Sequence, residues 1–366
     1  MPKTAYLILE NGAIFKGKTF GAEREVLGEL VFNTGMTGYL EILTDSSSYG
    51  QIILQTFPLI GNYGKISADF ESSSVKAAAY IVRTWCEEPS NFRCEGNLDT
   101  FLKSEDIPGL YGIDTRAVTK IIRDSESGTM NCKIAHSADN IDIDEIKSHK
   151  TSRLIESVSC SSVQEFKISG NKYRVLILDC GMKESLKQRF LRGGCDVIAA
   201  PYNTSAEQIK ALAPDGIVIS HGPGDAADNS GSSDSSDIIS SVKAIADLGI
   251  PMLGIGYGHR LLALAHGFQT QKMKHAHRGA NQPVKDLKDG RLYITQQNHG
   301  YTVVTDSVDK KTACVSFENV TDKGCEGLEY TAKPIFSTEF YPELTIDSAQ
   351  NTSFLFDKFI AGMSKV

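Results

Sequence analysis

The chain has 366 residues, with 38 Lys and Arg against 45 Asp and Glu, and a formal net charge of −7. At roughly 100–200 residues per domain, this length points to two or three domains. The acidic balance, with no long Lys/Arg run, excludes a nucleic-acid binder whose affinity rests on phosphate neutralisation, and no apolar run approaches the roughly 18 residues of a membrane span. The opening Met1-Pro-Lys-Thr-Ala-Tyr6 leads straight into a strand pattern with no signal-peptide features, so a cytoplasmic location is expected. The eight cysteines, Cys86, Cys94, Cys132, Cys160, Cys180, Cys195, Cys314 and Cys325, show no CxxC pair and read as scattered reduced thiols.

Residues 1–150 read as a mixed α+β domain. Tyr6 to Gly17 predicts two short strands around the Asn11-Gly12 turn. Strands follow at Leu30–Phe32, Gln51–Phe57 and Val75–Trp85, then helices at Leu98–Lys103 and Thr115–Arg123, the second with Asp114 or Thr115 as N-cap. Residues 136 to 170 lack a clear period and read as a connector with one short helix near Asp144–Lys147; the linker proper is placed at 151–171.

From Lys172 the texture changes. Apolar strands at Tyr173–Asp179, Cys195–Ala200, Gly216–Ser220 and Pro251–Ile255 alternate with helices at Lys183–Arg192, Ser205–Leu212, Asp237–Leu248 and His259–His266. Strands apolar on both faces, alternating with helices, predict a doubly wound parallel sheet over residues 172–366. Leu292–Gln296, Tyr301–Thr305, Ala313–Phe317, Gly327–Tyr330 and Ile335–Thr338 are expected as antiparallel additions at one side, and Thr352–Met363 as a closing helix. The polar, low-complexity stretch Asp225–Asp237 is expected to be a mobile loop.

Ligands of open α/β sheets bind at the carboxyl ends of the strands. Three loops fall there. Ser220-His221-Gly222-Pro223-Gly224-Asp225 offers backbone N–H groups to a ligand or is simply a tight turn. Gly254-Ile255-Gly256-Tyr257-Gly258-His259-Arg260 has the glycine spacing of a nucleophile elbow, but its central residue, Gly256, carries no side chain. Phe340-Tyr341-Pro342-Glu343 places a carboxylate that either orients a base or is a plain loop residue.

These stretches, with Phe32–Asp45, Thr56–Gly64, Cys86–Phe92, Gly112–Thr119, Lys272–Val284 and Gln297–Tyr301, resemble the small (glutaminase) subunit family of carbamoyl-phosphate synthetase, within the class I, triad-type glutamine amidotransferases. The first-half stretches are the ones other class I amidotransferases lack. The resemblance implies a class I amidotransferase-like fold for the second domain. It also implies a large-subunit partner that makes carbamoyl phosphate, and no cofactor in this chain, ATP and metal belonging to the large subunit.

In the family the elbow reads Gly-Ile-Cys-Leu-Gly-His-Gln and the later loop His-Pro-Glu; the cysteine attacks the glutamine amide, the histidine moves protons and the glutamate orients it. By resemblance, the cysteine falls on Gly256, the histidine on Tyr341 and the glutamate on Glu343. Tyr257, Arg260 and His221 are further departures, whereas Ser47, Gly222, Gly224, Asn298, Gly300 and Tyr301 keep the residues implied for glutamine contacts. Loss of the nucleophile of a triad costs on the order of 10⁶ in rate. Three readings follow. One is a glutaminase-silent subunit that docks a large subunit and supports ammonia-dependent synthesis. Another is an active glutaminase with Cys180 as a relocated nucleophile and His221 or His259 as base. The last is a free-standing ligand-binding pseudoenzyme in which Arg260 suits an anion.

Overall fold

Alternation of apolar side chains closes a barrel in the first part of the chain. The computed structural model describes residues 2–125, 128–227, 235–343 and 352–364. It divides into two units, Met1–Thr151 with Lys274–Gly279, and Ser152–Met273 with Ala280–Val366. In chain order the first unit has β1 (Thr4–Leu9), β2 (Ile14–Gly21), β3 (Val26–Asn33), α1 (Tyr39–Thr44), β4 (Gln51–Gln55), β5 (Leu59–Ile60), β6 (Ala79–Val82) and β7 (Thr84–Trp85). It continues with α2 (Leu98–Ser104), β8 (Pro108–Tyr111), α3 (Thr115–Asp124), β9 (Met130–Ala135) and α4 (Ile143–Ser148). The barrel order is β1-β2-β8-β6-β4-β3-β9, closed by antiparallel pairing of β9 with β1. Ile52, Leu54, Ala79 and Ile81 join Leu7 and Leu30 in one cluster with Val118 and Ile122 of α3. The intervening Ile53, Tyr80 and Val82 face the other way, against Leu40 and Leu43 of α1 and Leu98 and Phe101 of α2.

The second unit continues with β10 (Gln164–Phe166), β11 (Tyr173–Asp179), α5 (Glu184–Arg192), β12 (Cys195–Pro201), α6 (Ala206–Ala211), β13 (Gly216–Ile219) and α7 (Ser235–Ala246). Then come β14 (Met252–Ile255), α8 (Tyr257–Ala265), β15 (Thr270–Asp286), β16 (Leu292–Val303), β17 (Ala313–Asn319), β18 (Cys325–Tyr330), β19 (Ile335–Thr338) and α9 (Phe354–Met363). The sheet order is β10-β12-β11-β13-β14-β19-β18-β16-β15-β17, and its parallel heart is β12-β11-β13-β14-β19. Leu176, Leu178, Ile217 and Ile219 pack under α6, α7 and α8, while Val175, Ile177 and Val218 pack under α5 and α9. Both sheet faces are covered, so the strands read as continuous apolar runs.

Several boundaries differ from expectation for visible reasons. The run Val75–Trp85 splits at the exposed Arg83, so that β6 joins the barrel and β7 pairs with β5. The gap expected between Gln296 and Tyr301 is absent: β16 runs through it, and its buried polar side chains find partners there, Gln297 donating to Thr295 and Glu326 and His299 lying 2.9 Å from Gln297 Oε1. Ile335–Thr338 was expected to be antiparallel; β19 instead runs parallel to β14 and antiparallel only to β18. Helix α8 begins at Tyr257 rather than His259. Most of the stretch expected as a mobile loop, residues 228–234, lies outside the described residues. Among the described helices none is long and apolar enough to cross a membrane.

Phe190 of α5 is fully buried, edge-on to Phe356 at 5.2 Å and to Phe359 at 5.8 Å. Phe190→Ala is expected to cost about 3–5 kcal/mol in chemical denaturation. A loss under ~1 kcal/mol would show that α5 and α9 do not share a packed layer.

Candidate functional site

The parallel placement of β19 beside β14 brings two strand ends together. Gly256 caps α8 at φ 56° and ψ −108°, and its N–H donates to the Thr338 carbonyl at 2.8 Å. A Cβ built on Gly256 would stand 3.4 Å from Tyr341 Cε1 and 3.9 Å from His221 Cδ2, which are ordinary packing distances. The apex therefore has room for a Cβ, and it is the backbone angles that favour glycine there. The flanking glycines are under a different constraint. A Cβ on Gly254 would lie 2.6 Å from Leu262 Cδ1, and one on Gly258 would collide with the Ile219 carbonyl oxygen. They let α8 sit directly on β13 and β14.

Around the apex the side chains are closely engaged. Tyr341 is buried, its hydroxyl donates to the Asn298 carbonyl at 3.3 Å, and the Lys183 ammonium sits 3.6 Å from its ring centroid. His221 meets the Tyr341 ring edge-on, and its Nε2 lies 2.8 Å from Glu343 Oε1, with both side chains fully buried. Burial pushes the Glu343 carboxyl up, but attraction to His221 and Lys183 outweighs it and holds the group below the usual carboxylate range. A His–Glu pair thus stands in the site, with its histidine drawn from the loop after β13 and not from the Phe340–Glu343 segment.

The second cluster centres on Arg260. Its Nη1 donates to the Gly224 carbonyl at 2.9 Å, its Nε lies 3.3 Å from Glu339 Oε1, and its guanidinium sits 5.5 Å from the Tyr257 ring and 6.0 Å from the Tyr301 ring. Glu339 has no exposed side-chain surface. Burial and then Arg260 push His259 down to about 3, so its ring is neutral at pH 7. His259 Nδ1 lies 2.8 Å from Ser337 Oγ.

The structure thus gathers Gly256, Tyr341, Glu343, Tyr257, Arg260 and Gly224, with Asn298, Gly300 and Tyr301 on β16. Gly222 is confined between Cys180 and Tyr257, where a Cβ would lie 2.6 Å from the Cys180 carbonyl oxygen. Ser47 belongs to the other unit, in the turn Ser46–Ser48, with its N–H donating to Asp45 Oδ1 at 2.8 Å. Cys180 is fully buried in the core beneath α8, and burial pushes its thiol well above the ordinary value. Lys183 and Glu339 were not singled out from sequence. The signal for each was a charged residue just past the carboxyl end of a core strand, β11 and β19 respectively.

Residues 7–134 match the family described as carbamoyl-phosphate synthase small chain, CPSase domain, and residues 176–361 match glutamine amidotransferase class-I. The carbamoyl phosphate synthase small chain of Clostridium perfringens is 43% identical over 358 residues, covering 97% of this chain and 98% of its own. The chain belongs to the carbamoyl phosphate synthase small chain family. The small chain of Methanocaldococcus jannaschii is 42% identical over 363 residues, covering 97% of this chain and 98% of its own. The pyrimidine-specific small chain of Bacillus subtilis is 42% identical over 355 residues, covering 97% and 94%. In this small-chain family member, the strand–helix turn carries glycine at its apex, and the His221–Glu343 pair stands beside it.

Two outcomes test this geometry. Gly256→Ala is expected to cost about 1–3 kcal/mol, the strain of a left-handed backbone, whereas Gly258→Ala exceeds it because α8 must lift from β13. Equal unfolding free energies for the two variants would show that the helix is not seated as described. For His259, the folded pKa of about 3 lies below the ordinary 6.5, so the unfolded chain takes up the proton first. Its contribution to stability is intact above about pH 6.5 and declines as pH falls towards 3, with a slope approaching ~1.4 kcal/mol per pH unit. Denaturation titrations of His259→Gln should lose this slope relative to wild type; an unchanged difference between the two proteins across that window contradicts it.

Proposed function

We propose that this chain is a glutaminase-silent small chain that docks a carbamoyl-phosphate synthetase large chain and supports synthesis from ammonia. The observation that carries the reading is the bare apex at Gly256, on a strand–helix turn whose flanking glycines, Gly254 and Gly258, are in place. With the nucleophile absent, loss of the base adds little, because triad members act as a unit. The His221–Glu343 pair has no thiol or hydroxyl at the apex to deprotonate.

Two other readings find less support. Cys180 would need to present a thiolate, yet it is fully buried with its thiol pushed up by burial and by Asp179. An anion drawn to Arg260 would have to displace Glu339, which already sits against the guanidinium without solvent. In the favoured reading ATP and metal belong to the large chain, and this chain contributes its first domain and the shape of its second.

The test is a coupled assay of the chain with its large chain, measuring carbamoyl phosphate formed from ammonium and from glutamine. Synthesis with ammonium is expected, and with glutamine a rate no higher than that of the large chain alone. Sustained synthesis from glutamine, or failure of the two chains to associate, overturns the proposal.

A further inference from the structure

One groove of the first unit has no part in the site above. It encloses about 650 Å³ and is lined by four cations, Arg83, Arg116, Lys120 and Arg123. Arg116, Lys120 and Arg123 stand at i, i+4 and i+7 of α3, on the face opposite the buried Val118 and Ile122. They form an exposed stripe about 10 Å long at 1.5 Å per residue. Arg83 forms the facing wall and is steadied by donating from Nη1 to the Ile113 carbonyl at 3.0 Å. Among the described residues, Arg116 and Lys120 have no carboxylate within ion-pair distance, and Arg123 pairs only with the exposed Asp124. The one carboxylate in the lining, Asp114, is engaged as the cap of α3, accepting from the Ala117 N–H at 3.0 Å. A concentrated positive strip on a chain of net charge −7 is an electrostatic guide for a negative partner.

The geometry points to this groove as the docking surface for an acidic segment of the large chain, a run of Asp and Glu side chains laid along α3. Its cations are spread along a line and exposed; a compact anion such as phosphate is held by donors that converge on a point. Thr56, Pro58, Asp114, Thr115, Arg116 and Thr119 also belong to the two stretches, Thr56–Gly64 and Gly112–Thr119, that carry the small-chain resemblance in the first domain. The groove lies wholly within the region matched by the small-chain domain family and outside the amidotransferase match. Its occupant is therefore proper to carbamoyl-phosphate synthesis and not to amidotransferases at large. This inference rests on the docking proposed above.

The test titrates the full chain with its large chain at several salt concentrations, comparing wild type with R116E/K120E and with the control K16E/K18E on an exposed part of β2. The reversal in the groove is expected to weaken association at least about tenfold and to flatten its salt dependence, with the control unchanged. Because both groove side chains are exposed, the thermal midpoint should match wild type; R116Q/K120Q gives a smaller loss of affinity without introducing repulsion. A wild-type complex that R116E/K120E leaves unaltered, or that K16E/K18E weakens equally, overturns the groove and leaves the docking proposal standing. Absence of a wild-type complex overturns both. Inorganic triphosphate is the second probe: no shift in the thermal midpoint of the isolated chain is expected. A stabilisation abolished by R116E/K120E would assign the groove to a small polyanion instead.

Discussion

The contact on which the second unit's site depends is the seat of α8 against β13. Gly258 has no atom to spare between the helix and the Ile219 carbonyl, and Gly254 is pressed under Leu262. With the helix seated, Gly256 must turn through a left-handed conformation, and its N–H locks to Thr338 at the end of β19. That one bond ties the apex to the segment carrying Glu339, Tyr341 and Glu343. The elbow is a backbone device, which is why its form survives without the side chain that such a turn is suited to expose.

Electrostatics then divides the site into two neighbourhoods. On one side, Lys183 lies over Tyr341 and, with His221, keeps Glu343 ionised despite complete burial. On the other, Arg260 is enclosed by Glu339, the Gly224 carbonyl and two tyrosine rings, and it adds to the burial that keeps His259 neutral. Each buried charge has a counterpart close by, as the cost of isolating an ion in low dielectric requires.

Much of this was legible in the residues. The continuous apolar strands, the glycine spacing of the elbow and the Asp114 cap of α3 each carry a local physical signature, and each leads to the element observed. What could not be read was pairing at a distance. Nothing local says that Ile335–Thr338 lies parallel to β14, because strand direction is set by which neighbour the chain returns to. For the same reason Glu339 did not stand out, and His221 was weighed as a base for Cys180 rather than as a partner of Glu343. Glycine, proline and charged residues interrupt the alternation of β8 and β15, whereas Met130, Cys132 and Ile134 of β9 alternate with Asn131 and Lys133 and gave a strand signal that the sequence reading passed over. The spread of basic residues on α3 was visible in sequence, but its groove emerges only when Arg83 arrives from another strand.

The Arg260–Glu339 pair bears on the history open to this chain. By resemblance the arginine occupies a position held elsewhere by a neutral amide side chain. Taking away either partner alone leaves the other charge in a solvent-free setting with one counterpart fewer, and breaking a buried pair in this way costs about 3–5 kcal/mol, a large part of the roughly 5–15 kcal/mol by which domains are stable. A lineage that drifted into this arrangement would need two simultaneous replacements to leave it without that loss. The ion pair acts as a ratchet: each single replacement at either position passes through a less stable fold, and only a paired change avoids it.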